Sequence, residues 1–166
     1  MLPQIKTILL AASLDKDTTY LFNYALCLAE RHQAVIYVVH GYEMPYLGMQ
    51  DMAELYMLQD DFTENFERSL QEVKVKLQER LESLCREQQE RFPQCQALFK
   101  GVSIVNKPPK QAIIETAAEL QADLILMGSH RHSMLTNALL GSTTMKVLHN
   151  TSIPVFVVRI PAEGHH

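Results

Sequence analysis

Four stretches of this 166-residue chain carry side chains whose types and spacing can do chemistry. Gly128-Ser129-His130-Arg131-His132 is followed by Gly141-Ser142-Thr143-Thr144. Glycines let backbone N–H groups approach an anion, a helix N-terminus adds a favourable dipole, and hydroxyls at 142–144 can donate to phosphate oxygens. That is phosphate-binding chemistry, although Gly128 also reads as a turn residue and Gly141 as a close-packing one. Ser13, His40 and Asp15 or Asp17 can be written as a hydrolytic triad, but the chain has no G-x-S-x-G elbow, so no catalytic residue is expected. His130 and His132 alternate in one loop near His40 at a strand end. Histidines at i and i+2 lack the ligand spacing of known zinc helices, so no metal site is expected. The fourth stretch, 42–58, gathers Tyr42, Met44, Tyr46, Met49, Met52, Tyr56 and Met57. Thioethers and aromatic rings make adaptable contact surfaces, so the segment reads as a lid over the sheet edge or as a surface for a protein partner.

The remaining composition narrows the function classes. A net charge of −4 argues against a basic face for nucleic acid. No apolar run approaches the ~20 residues that cross a bilayer, and no membrane association is expected. The N-terminal stretch lacks the basic start and cleavage site of a secretory leader, so the expected location is the cytoplasm. Three cysteines (Cys27, Cys85 and Cys95) are odd in number and lack metal-ligand spacing; they predict no disulfide framework and a reducing compartment. Cys27 is expected in the core, Cys85 near the end of a long helix and Cys95 in a loop. Residues 163–166, ending in His165 and His166, read as the stub of an affinity tag behind a single domain at 1–162.

The elements that must position these residues follow from periodicity. Ile5–Ala12 and Ala34–His40 are short apolar runs of the kind found in strands covered on both faces. Between them Leu21, Phe22, Ala25, Leu26, Leu28 and Ala29 recur at helical spacing, which makes a βαβ unit. A loop from Gly41 turns into helix after Gly48. Phe62, Phe66, Leu70, Val73, Leu77, Leu81 and Leu84 then form one stripe of a long amphipathic helix ending before Pro93. Ala97–Val105 predicts a strand, 109–121 a helix entered through Pro108-Pro109, Asp123–Met127 a strand, Asn137–Asn150 a helix and Val155–Ile160 a last strand. Five strands alternating with helices give a parallel, doubly wound α/β sheet. Ligands of such sheets bind beyond the strands' carboxyl ends, near Ser13–Asp17, His40–Met44, Asn106–Pro109 and Gly128–Asn137. Val155-Phe156-Val157-Val158 form an apolar edge that pairing with a second copy would cover, predicting a homodimer through this strand.

The stretch DLILMGSHRHSMLTNALLGSTTMKVLHNTSIPVFVV, with KTILLAAS near the start and VVH closing the second strand, resembles the universal stress protein family. That family carries G-x-x-G, nine residues, then G-S/T. The resemblance implies a Rossmann-like three-layer α/β/α fold with a five-stranded parallel sheet in the order 3-2-1-4-5. It also implies a homodimer joined through the last strand and, in one branch, bound ATP without dedicated catalytic machinery. Gly128, Gly141 and Ser142 match motif positions, and Met127 is in register. Arg131 stands at the second glycine, Ser13 at the acidic residue that meets the nucleotide, and Gly41 at the position against adenine.

Two functions follow. In one, a homodimeric stress-response protein binds ATP or AMP, with Mg²⁺, at Ser13, Gly41, Met127, Gly128, Arg131, Gly141, Ser142 and Thr143. Its role is then regulatory, with hydrolysis very slow at best, since no general base is evident. In the other, Arg131 fills the pocket and the protein is a nucleotide-independent interaction module. As a guanidinium, Arg131 serves the first by pairing with phosphate.

Overall fold

A computed structural model describes residues 2–14, 16–43, 49–130 and 140–161, of which 49–63 and 130 are described through their backbone alone. The apolar runs become five strands: β1 (Thr7–Ala11), β2 (Val35–Tyr42), β3 (Phe99–Asn106), β4 (Leu124–His130) and β5 (Val155–Ile160). They form one parallel sheet in the order β3-β2-β1-β4-β5. Helices α1 (Asp17–His32), α2 (Met49–Glu87), α3 (Cys95–Leu98), α4 (Pro109–Glu119) and α5 (Ser142–Asn150) connect them.

Alternation along each strand divides the interior into two cores, because successive side chains of a strand point to opposite faces. Ile8 and Leu10 of β1, Val38 of β2 and Leu126 of β4 meet Phe22 and Leu26 of α1 and Leu77 and Leu81 of α2. Leu9, Val39, Ile125 and Met127 turn the other way, onto Ile113 and Ala117 of α4 and Val147 of α5. Ile8, Leu9 and Leu10 are all fully buried, as the unbroken apolar run predicts for a central strand. At the amino end of the sheet, the Asp123 carboxylate accepts from the Lys6 and Thr7 N–H groups at 2.8 and 2.9 Å and ties β1 to the start of β4. Where β3 joins β2 the register jumps from Ile36↔Phe99 to Tyr37↔Gly101; Gly101 takes φ +128°, a conformation that suits a residue without Cβ.

The structure corrects several expectations. The helix expected after Gly48 begins at Met49, but its apolar stripe is not uniformly buried: Leu77 and Leu81 enter the core while Val73 is exposed. Ala97 and Leu98, read as strand, close the short helix α3. Cys27 points outward, because the buried positions of α1 (Thr18, Leu21, Phe22, Ala25, Leu26 and Ala29) set its core face on the other side. It lines a surface cleft of about 280 Å³ with Tyr24, Gln88, Arg91 and Phe92. Cys85 and Cys95, expected to be unpaired, are joined in a disulfide with Cα atoms 5.2 Å apart. The turn between them reverses the chain through Arg91 and Phe92 N–H groups donating to the Gln88 carbonyl at 3.0 and 2.7 Å, and spacing along the sequence carries no trace of that reversal. Among the described residues no helix is long and apolar enough to cross a membrane. Residues 163–166 lie outside the described residues.

Candidate functional site

The sheet reverses its order between β1 and β4, and the crossovers leaving these two strands go to opposite faces. The gap this opens beyond their carboxyl ends is where ligands of such sheets bind. A cavity of about 330 Å³ lies there, within the usual size range of small-molecule sites. Its floor is built by strand ends: Ala11, Ala12 and Ser13 after β1, Val39, His40 and Gly41 of β2, and Met127, Gly128 and Ser129 of β4. Pro109 and Ile113 of α4 wall one side, Gly141 to Thr144 at the start of α5 another, and Leu21 and Ile160 complete the apolar lining.

Two of the wall glycines hold the elements close. A Cβ on Gly41 would stand 2.6 Å from the Ala112 Cβ, 2.9 Å from the Pro109 Cα and 3.0 Å from the Lys107 carbonyl oxygen, so the first turn of α4 presses directly on β2. A Cβ on Gly128 would meet the Ile160 Cδ1 at 2.5 Å and the Leu21 Cδ1 at 3.0 Å. Among the described residues, a Cβ on Gly141 would meet only the Thr144 hydroxyl, 4.0 Å away, so none of them packs tightly on this glycine.

The polar side chains of the cavity are hydroxyls and one imidazole. Gly141 is the N-cap of α5, with φ −63° and ψ 156°, and among the described residues no side chain caps the helix. First-turn N–H groups of such a helix have no intrahelical partner and carry the positive end of its dipole. The Thr144 hydroxyl donates to the Gly128 carbonyl at 3.3 Å, tying this turn to β4. The His40 Nδ1–H donates to the Ala12 carbonyl at 2.7 Å, which leaves Nε2 as the other hydrogen-bonding atom of the ring. Ser129 is 2% exposed, and its buried Oγ has no hydrogen-bond partner among the described residues. Among the described lining residues none is Asp, Glu, Lys or Arg. Next to the cavity wall formed by α4, Lys107 before the helix and Glu115 on it form an ion pair. The hydrogen bond from Lys107, then that from Gln111, holds the Glu115 carboxyl below its ordinary range, and the same Lys107–Glu115 bond holds the lysine above its own.

Seven of the eight residues read from the sequence as a site (Ser13, Gly41, Met127, Gly128, Gly141, Ser142 and Thr143) line this one cavity, and Arg131 lies outside the described residues. His132 and Asp15 lie outside them as well, as does the His130 side chain. Among the described residues no group of three or more His, Cys, Asp or Glu could hold a metal ion. Of the segment 42–58, side chains are described only for Tyr42 and Glu43; the Tyr42 ring packs edge to face on Phe66 at 5.7 Å. Sequence reasoning placed Ser129 and Pro109 in the ligand-side loops without naming them as site residues, and it passed over Ile113 and Ile160. Ser129 was readable as the residue beside Gly128 at a strand's carboxyl end; the other three arrive through tertiary packing.

Comparison with known proteins gives one family throughout. The model of the universal stress protein family matches residues 4–159. A universal stress protein of Methanocaldococcus jannaschii is 27% identical over 140 residues, covering 84% of this chain and 73% of that protein. One from Synechocystis is 44% identical over 50 residues, covering 30% of this chain and only 17% of the relative, so the match spans a small part of that protein's length. Among solved structures, UspA from Lactobacillus plantarum superposes with a TM-score of 0.60 at 21% identity, covering 95% of this chain and 99% of that one. A universal stress protein in complex with cAMP superposes at 0.57 and 18% identity, covering 95% and 98%. At these identities the structural likeness concerns the fold.

Proposed function

This chain belongs to the universal stress protein family, and from that premise we propose that it is a stress-response protein that binds an adenine nucleotide and acts by regulated binding rather than by catalysis. The observation that carries the reading is the hydroxyl-bearing cavity at the β1/β4 switch point, closed on one side by the start of α5, whose first-turn N–H groups no described side chain caps. Phosphates sit against Gly128, Gly141, Ser142 and Thr143, where backbone N–H groups and hydroxyls converge. Arg131 adds a guanidinium to the same phosphates. Ser13, Gly41 and Met127 border the nucleoside end. The bound cAMP of one structural neighbour supports a nucleotide as the ligand class. ATP and AMP both suit the donors. Mg²⁺ would come in on the phosphates, since no carboxylate is among the described lining residues to hold it.

Catalysis is not part of the reading. A general base must reach the attacking water; among the described lining residues His40 alone could serve, through Nε2, and no carboxylate stands beside it to activate or orient a water. The protein further pairs as a homodimer through β5, which meets β4 on one side and presents Phe156, 40% exposed, beyond it. Ligand binding then alters a surface read by a protein partner, for which residues 42–58 are the candidate.

Native mass spectrometry of untagged protein with Mg-ATP, AMP or no addition tests both statements. The expected species is a dimer carrying two nucleotides. A dimer that stays bare at millimolar nucleotide overturns the nucleotide reading and moves the function to the protein surface; a monomer at micromolar protein overturns the pairing.

A further inference from the structure

A second cleft shares no residue with the switch-point cavity. It measures about 280 Å³ and is lined by Asn23, Tyr24 and Cys27 of α1 and by Gln88, Arg91 and Phe92 of the turn that follows α2. At the low end of the range for small-molecule sites, it suits a single ring better than a nucleotide. The turn that forms its wall is braced. The Cys85–Cys95 disulfide closes a loop around it, the Arg91 and Phe92 N–H groups donate to the Gln88 carbonyl, and the Cys95 N–H donates to the Phe92 carbonyl at 3.1 Å.

That bracing fixes a cation. The Arg91 guanidinium lies over the Phe92 ring, 5.4 Å from its centroid. Stacking engages the face of the guanidinium and leaves its N–H edge for a bidentate bond to a carboxylate. Among the described residues no carboxylate takes that edge, and the side-chain amides of Asn23 and Gln88 have no partner either. The Tyr24 hydroxyl is engaged with that of Tyr20 at 3.2 Å, so what Tyr24 has left for a ligand is its ring, and the residue is 39% exposed.

We propose that this cleft binds a small aromatic carboxylate. The carboxylate pairs with the edge of Arg91, the amides of Asn23 and Gln88 complete its hydrogen bonds, and the ring lies on Tyr24 beside the Cys27 thiol. An exposed ion pair contributes modestly by itself, so the affinity depends on the ring contact and on a guanidinium already held in place. The site is independent of the nucleotide reading, because neither lining residues nor ligand class are shared.

Cys27 is the free thiol of the chain and stands in the cleft, so its alkylation reports occupancy. The test is iodoacetamide labelling of the unreduced chain at constant ionic strength, followed by mass spectrometry, with benzoate, benzamide or acetate added. Benzoate is expected to slow labelling saturably at millimolar concentration. Benzamide has the ring without the charge and acetate the charge without the ring, and each is expected to need about tenfold more. In Arg91→Met the benzoate requirement is expected to rise about tenfold while that for benzamide stays the same. Labelling that benzoate does not slow overturns the assignment, as does equal protection by benzoate and benzamide or an Arg91→Met chain protected as well as wild type. Acetate as effective as benzoate overturns the ring contact, and with it the ligand class.

Discussion

Gly41 and Gly128 both border the cavity without a side chain, and their surroundings give them different tolerances. A Cβ on Gly41 runs into the Pro109 backbone and the Lys107 carbonyl, which cannot move without displacing the start of α4. Gly41→Val is therefore expected to lose about 1–3 kcal/mol, read as a lower midpoint in urea unfolding, and to weaken any ligand held against α4. Gly128→Ala presses on the ends of the Ile160 and Leu21 side chains, which can rotate away, so its loss is expected to be smaller than that of Gly41→Val in the same measurement. The Lys107–Glu115 pair makes a second prediction at this scale. Because the Glu115 carboxyl is held below its ordinary value, its contribution to stability is present above that value and fades as pH falls through the lowered one. Because Lys107 is held above its ordinary value, its contribution is complete below that value and fades as pH rises through the raised one. Both groups are well exposed, so the effect on melting is expected to be small. NMR titration of Glu115 should show a carboxyl more acidic than other surface glutamates, returning to their range in Lys107→Met.

The elements divide by whether their partner is near or far in sequence. Leu81 is fully buried against the β3 side of the sheet, whereas Val73, two turns earlier on the same helix, is 37% exposed. Leu81→Ala is accordingly expected to cost about 2–5 kcal/mol, and Val73→Ala under about 1, by denaturant unfolding. Spacing alone put both residues on one stripe, because a helix repeats its faces all along its length while the sheet beneath it does not. The strands were legible for the opposite reason: β1, β2 and β4 are covered on both faces, and that condition writes itself as an apolar run. The three glycines and four hydroxyl or thioether residues of the site were legible because strand ends and the start of α5 fall at fixed places in such a fold. Pro109, Ile113 and Ile160 reach the cavity through packing between elements, and the Cys85–Cys95 bridge through a chain reversal; neither leaves a periodic signal. Ser129 was hidden by its neighbours, an ordinary serine between a glycine and a histidine until its isolation in the interior is seen.

At the scale of the whole molecule, the sheet has two unlike edges. β3 is flanked by the long helix α2, while β5 carries Val155 and Val157 toward one core and Phe156 outward. If the second copy pairs there, Phe156→Lys is expected to yield a monomer by light scattering with its circular dichroism preserved, because the substitution charges the edge and leaves Val158 and Ile160 in the core. At the other extreme of exposure is β1, hydrogen-bonded to β2 and β4 on its two sides and sealed above and below. The amide of Leu9 therefore meets solvent deuterons only when the entire chain opens, and its exchange clock keeps the time of global unfolding. A ligand that binds the folded chain alone slows that clock by a factor of 1 + [L]/Kd, although Leu9 does not line the cavity. Deuterium uptake inside one strand can thus gauge how tightly a molecule is held beyond the strands' carboxyl ends, with no label or reporter added to the site.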